Sequence, residues 1–309
     1  MCRHNLFISN FKFITKLILL ICMIVLFCYH VSGQFEGEYN ASLIDKVARL
    51  KSIEEPKIVL LGNSNVAFGF QSELIEKEFG MPVVNMGLHG GLGNMFHEEM
   101  ARLNVTEGDI YVLCHTSFSD TGVIADPVLA WTTVENNFEL YEIFRKEDLW
   151  PMIKAYPTYL KKCLVRYSEE YEMPDWETVY AREAFNEYGD VGKRIESVFE
   201  TNTAIEIPKI SEENIKRIND LAKWLEERGA ILVVSAYPIA MGDKSPKEEE
   251  YVQFQEELEA VLECDVISDY TDYMYGYECF LDTQYHLLSE PAADRTRQFI
   301  CDLKEWMDN

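Results

Sequence analysis

The sequence predicts an α/β domain built on a parallel sheet, and three observations predict it. Short, wholly apolar runs such as Ile58-Val59-Leu60-Leu61 and Ile231-Leu232-Val233-Val234 alternate with longer amphipathic stretches. A strand that is apolar on both sides is covered on both faces, the condition of a parallel sheet between helices. The chain of 309 residues is 48% hydrophobic and 13% aromatic, which suffices for a core of that kind.

The first 33 residues stand apart. Arg3, Lys12 and Lys16 precede the apolar run Leu17–Cys28, which is followed by Tyr29, His30 and Val31. Cations ahead of an apolar stretch keep the N-terminus cytoplasmic and send the downstream chain outside. The run itself is shorter than the ~20 residues that cross a bilayer. Phe11 to Val31 reaches that length if Lys16 and His30 extend to the two interfaces. Val31-Ser32-Gly33 offers small residues at a signal-peptidase position. The segment is therefore either a retained signal-anchor or a cleaved signal, and in both cases residues 34–309 are exported, to remain membrane-tethered or to be secreted.

From residue 57 each element has its own signal. Ile58–Leu61 reads as a buried strand ending at Gly62, and Ser72–Phe79 as a short helix. Pro82–Asn85 is a second strand, running into the glycine-rich turn Gly87–Gly93. Asn94–Leu103 is helical, and Asp109–Cys114 is a third buried strand. Ile215, Ile218, Leu221, Ala222 and Leu225 share one face of a helix that begins at Ser211 and stops at Gly229. Ile231–Val234 makes a fourth strand, Glu248–Leu262 a helix, Asp265–Ile267 a short fifth strand and Pro291–Trp306 a closing helix. Ligands of such sheets bind beyond the carboxyl ends of the strands, where Ser64, Gly87 and His115 fall.

Between strands three and four, residues 120–208 form a helical insertion rich in aromatics: Trp131, Phe138, Tyr141, Phe144, Trp150, Tyr156, Tyr159, Trp176 and Tyr180. These rings either make the insertion's own core or line a lid over the site.

The formal net charge of −25 argues against nucleic acid, which needs clustered Lys and Arg, and against docking on anionic lipid. Cys114, Cys163, Cys264, Cys279 and Cys301 show no metal-type spacing, and no metal or organic cofactor is implied. Cys264, Cys279 or Cys301 would pair in an exported domain, or all five remain isolated thiols. Gly90-Gly91-Leu92-Gly93 lacks the neighbouring lysine of a phosphate-binding loop.

Three features carry chemistry. Gly62-Asn63-Ser64-Asn65 comes directly after a buried strand, and a serine at such a turn is exposed with its N–H free for an oxyanion. It is equally placed to cap a helix. Asn85-Met86-Gly87 brings a side-chain-free N–H to the second strand's end. Asp282-Thr283-Gln284-Tyr285-His286-Leu287 sets a carboxylate near a histidine, able to fix its tautomer.

In this order the features resemble the SGNH (GDSL-like) hydrolase superfamily over roughly residues 55–115 and 210–309. That resemblance implies a flavodoxin-like three-layer sandwich with a central, mostly parallel five-stranded sheet. It makes Ser64 the nucleophile, with Asn63 replacing the usual Asp, Gly87 the second-block glycine, and Asp282 and His286 the acid and base. The usual spacing of acid and histidine is three; here it is four, with Tyr285 in the usual histidine position. The third block is missing, since Cys114-His115-Thr116-Ser117 has neither Gly nor Asn. Ser64 and Gly87 are then the oxyanion donors, with Asn94 or His115 as further candidates. The segment also resembles exported, membrane-tethered SGNH-like proteins of polysaccharide-modifying systems.

The resulting expectation is an exported serine esterase or O-acyltransferase acting on acylated carbohydrate. The alternative is a non-catalytic accessory protein of the same fold that binds glycan or a membrane acyltransferase partner.

Overall fold

The computed structural model describes residues 2–120, 122–168 and 178–309. Helix α1 (Cys2–Val31) contains Phe11–Val31, 21 residues whose most apolar 18-residue stretch has a mean hydropathy of 2.5, long and apolar enough to cross a membrane. Residues 11–27 are exposed along it, and Val31 is buried where it meets the domain. Next come α2 (Ser42–Ser52), β1 (Ile58–Gly62), α3 (Ser64–Gly69), α4 (Ser72–Phe79), β2 (Val83–Asn85), α5 (Asn94–Glu99) and β3 (Ile110–Cys114). The insertion supplies α6 (Pro127–Val134) and α7 (Leu149–Ser168). The chain closes with α8 (Glu212–Glu226), β4 (Ile231–Val234), β5 (Ile239–Met241), α9 (Glu248–Glu259), β6 (Met274–Gly276) and α10 (Ser289–Asp308).

Strands β1–β4 form a parallel sheet in the order β2-β1-β3-β4. Successive side chains point to opposite faces. Val59, Leu61, Tyr111, Leu113, Leu232 and Val234 meet Leu43, Val47 and Leu50 of α2 and Ile215, Ile218 and Leu221 of α8. Ile58, Leu60, Ile110, Val112 and Val233 meet Ile75 of α4 and Phe299 and Leu303 of α10. Helices cover both faces, which is why the strands are apolar throughout.

The fifth strand is a correction. Only Val266 pairs, in a single parallel bridge to Val234, so the sheet has four strands rather than five. Val234 N donates to Asp265 O at 2.8 Å and Val234 O accepts from Ile267 N at 2.9 Å, while the Asp265 carboxylate accepts from Trp306 Nε1 at 2.8 Å and the Ser268 and Ser235 hydroxyls bond at 2.8 Å. A separate parallel pair, β5 with β6, has three residues per strand, too few to show an alternation in the sequence. The expected helix Asn94–Leu103 divides into α5 and a 3-10 turn, Met100–Arg102. Helix α8 keeps its predicted signals: Ser211 Oγ accepts from Asn214 N at 3.3 Å, and Gly229 beyond it has a φ of 75°.

The insertion is helical through α6 and α7 but has no helix over residues 185–209, and part of its aromatic content is its own core. Trp131 stacks on Tyr159 at 5.7 Å and meets Tyr156 edge-on at 5.0 Å. Phe138 and Trp150 are exposed, and Trp176 lies outside the described residues. Cys114, Cys163, Cys264, Cys279 and Cys301 are free thiols.

Candidate active site

Strand β1 ends at Gly62 with a φ of 151°, where a side chain would meet the Cys114 carbonyl oxygen and Val66 Cγ2, each at 2.7 Å. Only glycine lets the chain turn there into α3. Asn63 caps the helix, its Oδ1 accepting from Asn65 N at 3.0 Å, while its Nδ2 donates to Thr116 Oγ1 at 2.7 Å. The cap thus ties the end of β1 to the segment after β3. Ser64 opens α3, so its N–H has no acceptor within the helix and sits at the positive end of the dipole. From the other side, buried Arg295 of α10 donates to Asn65 O (2.8 Å), Asn65 Oδ1 (3.1 Å) and Ala236 O (3.0 Å).

Ser64 Oγ lies 2.8 Å from His286 Nε2 across a separation of 222 residues. His286 Nδ1 lies 2.8 Å from Asp282 Oδ1. Phe68, inside α3, stacks on the imidazole at 4.0 Å with the ring planes 10° apart, which fixes its tilt. Burial disfavours the Asp282 carboxylate, but hydrogen bonds from His286 and Tyr180 outweigh it and hold its pKa below the usual range. The acid therefore stays ionised. With the Nδ1 proton on the Asp282 side, Nε2 is free to accept from Ser64.

The four-residue spacing works because the chain folds back on itself between acid and histidine, with His286 N donating to Thr283 O at 3.3 Å. Tyr285, three residues after Asp282, packs against Tyr237 at 6.2 Å instead. The other nearby carboxylates are engaged elsewhere: Asp269 accepts from Thr271 N, and Asp272 from Gln298 Nε2.

In the sequence Tyr180 is only one ring among many. In the fold its hydroxyl donates to Asp282 Oδ2 and stands 3.1 Å from His286 Nδ1. Burial and the neighbouring carboxylate raise its pKa, so it stays a donor. Tyr39 and Phe68 flank its ring at 6.1 and 5.9 Å. His89 lies in the adjoining glycine turn, its Nδ1 accepting from Gly91 N at 2.9 Å and its pKa held below the usual range by desolvation and by nearby His286. No local pattern marks either residue.

The other oxyanion candidates are corrected. Gly87 N–H donates to Asn85 Oδ1 at 2.9 Å, within its own turn. Gly87 is glycine because a Cβ would come within 2.4 Å of Ala67 N; it seats α3 against the end of β2. Asn94 Nδ2 is engaged by Ser117 O at 2.6 Å and Asn214 Oδ1 at 3.1 Å. His115 is fully buried, with Nε2 3.1 Å from Glu98 Oε1. Glu98 also accepts from Arg217 Nε at 2.6 Å, and Arg217 reaches Asp120 at 2.7 Å. Burial works against that carboxylate, but His115 and Arg217 bring its pKa down to about 2. His115 thus belongs to an ionic cluster inside the protein. Of the candidates, Ser64 N–H is left as the donor, and the glycine turn borders it at Gly90. Gly90 opens a short helical turn, and a Cβ on it would lie 3.4 Å from Asn63 Cβ.

The insertion meets the site at both of its ends. Leu129 of α6 packs on the glycine turn, 3.1 Å from where a Gly91 Cβ would stand. The returning strand passes over α3, with Val191 N donating to Ala67 O at 2.9 Å, and supplies Tyr180. Among the described residues no three His, Cys, Asp or Glu side chains gather to hold a metal ion.

Comparison with protein-family models, with curated proteins and with solved structures finds no match to this chain. Geometry alone supports a functional reading.

Proposed function

We propose that this chain is an exported serine esterase or O-acyltransferase of the SGNH type, acting on acylated carbohydrate. The observation that carries the reading is the linear array Ser64 Oγ, His286 and Asp282, with 2.8 Å at each step. His286 Nε2 takes the hydroxyl proton as Ser64 Oγ attacks the acyl carbonyl. Ser64 N–H, at the N-terminal end of α3, stabilises the tetrahedral oxyanion. Collapse breaks the ester bond, the departing alcohol takes the proton from His286, and the acyl group remains on Ser64. Water or a sugar hydroxyl, deprotonated by His286, then attacks the acyl-enzyme and frees Ser64.

The sheet order and the two helical layers support the finer fold reading. Val266 beyond β4 stands where a fifth strand of a flavodoxin-like three-layer sandwich would lie. For localisation we propose a retained single-pass anchor with the domain outside. The chain leaving α1 is knit into the domain, with Gln34 N and Phe35 N each donating to the Glu135 carboxylate at 3.1 Å.

The test is covalent labelling of the membrane-inserted protein with a fluorophosphonate probe. Attachment at Ser64, lost in Ser64→Ala and His286→Ala, is expected. A folded protein that never labels overturns the enzyme reading. It would favour an accessory protein, the alternative suited to a Gly87 N–H turned away from the nucleophile.

A further inference from the structure

The net charge of −25 argues against docking on anionic lipid for the chain as a whole, but locally the 20 residues of α7 carry Lys154, Lys161, Lys162 and Arg166 and no carboxylate. Met152, Tyr159 and Cys163 are buried on one side of the helix, beside Trp131 and Phe35. On the opposite side Trp150 and Ile153 are 62% and 60% exposed, together with Leu164 and Val165. Positions 150, 153, 154, 157, 161, 164 and 165 recur every three or four residues and so share one face. That face interleaves large apolar side chains with Lys154 and Lys161, and exposed Lys162 stands at its edge. Arg166 lies inward, donating to Glu38 and to Gln34 O.

The place of this face limits what can cover it. Helix α7 meets the last turn of α1: His30 Nε2 is 3.0 Å from Tyr167 Oη, and the two rings are 5.5 Å apart. Residues 11–27 of α1 are exposed, so α7 does not run alongside the apolar span. A helix crossing the end of a membrane-spanning segment sits at the headgroup level of that same bilayer. Trp and aliphatic side chains enter the acyl boundary there, and lysines pair with headgroup phosphates. We propose that α7 lies on the outer surface of the membrane that α1 crosses, its exposed face bound to anionic phospholipid; this rests on reading α1 as a membrane span. The domain is then held at two points. Tyr39, eight residues beyond Val31, stacks on Phe68 at 6.0 Å, and Phe68 stacks on His286. Eight extended residues reach at most about 28 Å, which keeps the site near the bilayer surface.

Full-length protein in vesicles of phosphatidylglycerol and phosphatidylcholine with brominated acyl chains tests this, because bromine quenches tryptophans that touch it and α1 contains none. Most of the quenching is expected to vanish in Trp150→Phe. Reversal of charge in K154E/K161E/K162E is expected to weaken it at least about fivefold, the preference one lysine gains near an anionic surface. Quenching unchanged in Trp150→Phe, or absent although the protein resists carbonate extraction, overturns the docking alone. Extraction by carbonate overturns the span and this geometry with it. Protection of Ile153→Cys from aqueous maleimide in native membranes but not in pure lipid assigns the face to a protein partner, and also overturns the proposal.

Discussion

Tyr180 Oη stands 3.1 Å from His286 Nδ1 and donates to Asp282, so the acid of the site is gripped from two sides by groups 102 and 4 residues away. Tyr180→Phe removes one donor to a charged carboxylate, worth ~1.5–3 kcal/mol. Labelling by the fluorophosphonate probe is expected to slow about 10–100-fold. Tyr180 also helps lower the Asp282 pKa, so its loss raises that pKa and moves the acid limb of the rate profile to higher pH. A purely structural tyrosine would leave the limb in place.

Asp282→Asn is expected to cost more in rate than in stability. An amide can donate to Nδ1, which leaves the proton on Nε2 and no acceptor for Ser64 Oγ. A fall of ~10³–10⁴ in labelling rate with a nearly unchanged melting temperature is the expected pair of results.

Gly87→Ala separates two roles for that glycine. Alanine keeps the N–H, so an oxyanion donor would survive the change. The added Cβ falls 2.4 Å from Ala67 N and 2.9 Å from Val66 Cβ, so α3 has to shift. Denaturant titration should show a loss of ~1–3 kcal/mol, and labelling at Ser64 should fall with it.

Asn63→Asp should be tolerated where Asn63→Ala is not. Aspartate keeps the oxygen that caps α3, and the Thr116 hydroxyl can rotate to donate to it. Alanine loses both bonds and is expected to cost about 1–2 kcal/mol, measured as a change in urea midpoint.

His97 sets an acid limb of stability. It is fully buried, neither ring nitrogen has a well-formed hydrogen bond, and burial followed by repulsion from His115 takes its pKa from the ordinary 6.5 to about 3. Between those values the unfolded chain binds a proton that the native state refuses. The contribution of this group is therefore full above pH 6.5 and is lost as the pH falls. The loss attributable to this group is on the order of 3 kcal/mol by pH 4. His97→Phe should flatten that limb when denaturant midpoints are compared at pH 4 and 7.

What the sequence determined by itself is what local periodicity encodes. The apolar runs at 58–61, 110–114 and 231–234 are strands because side chains alternating across two covered faces must all be apolar. Ser211 and Gly229 bracket α8 because a cap and a positive φ are requirements of the backbone, met residue by residue. Ser64 and His286 meet as expected because the first comes after a strand of the sheet and the second precedes α10, which packs against it. The tertiary structure decided the rest. Gly87 turns its N–H to Asn85, His115 is drawn to Glu98, which Arg217 also holds, and Tyr180 arrives from the insertion to hold Asp282. The fifth strand is reduced to one bridge, in which Val234 alone pairs, with Asp265 O and Ile267 N. Periodicity records which way a side chain faces within its own element. The polar partner it meets depends on donors and acceptors brought together from across the chain, and only the packed fold selects among them.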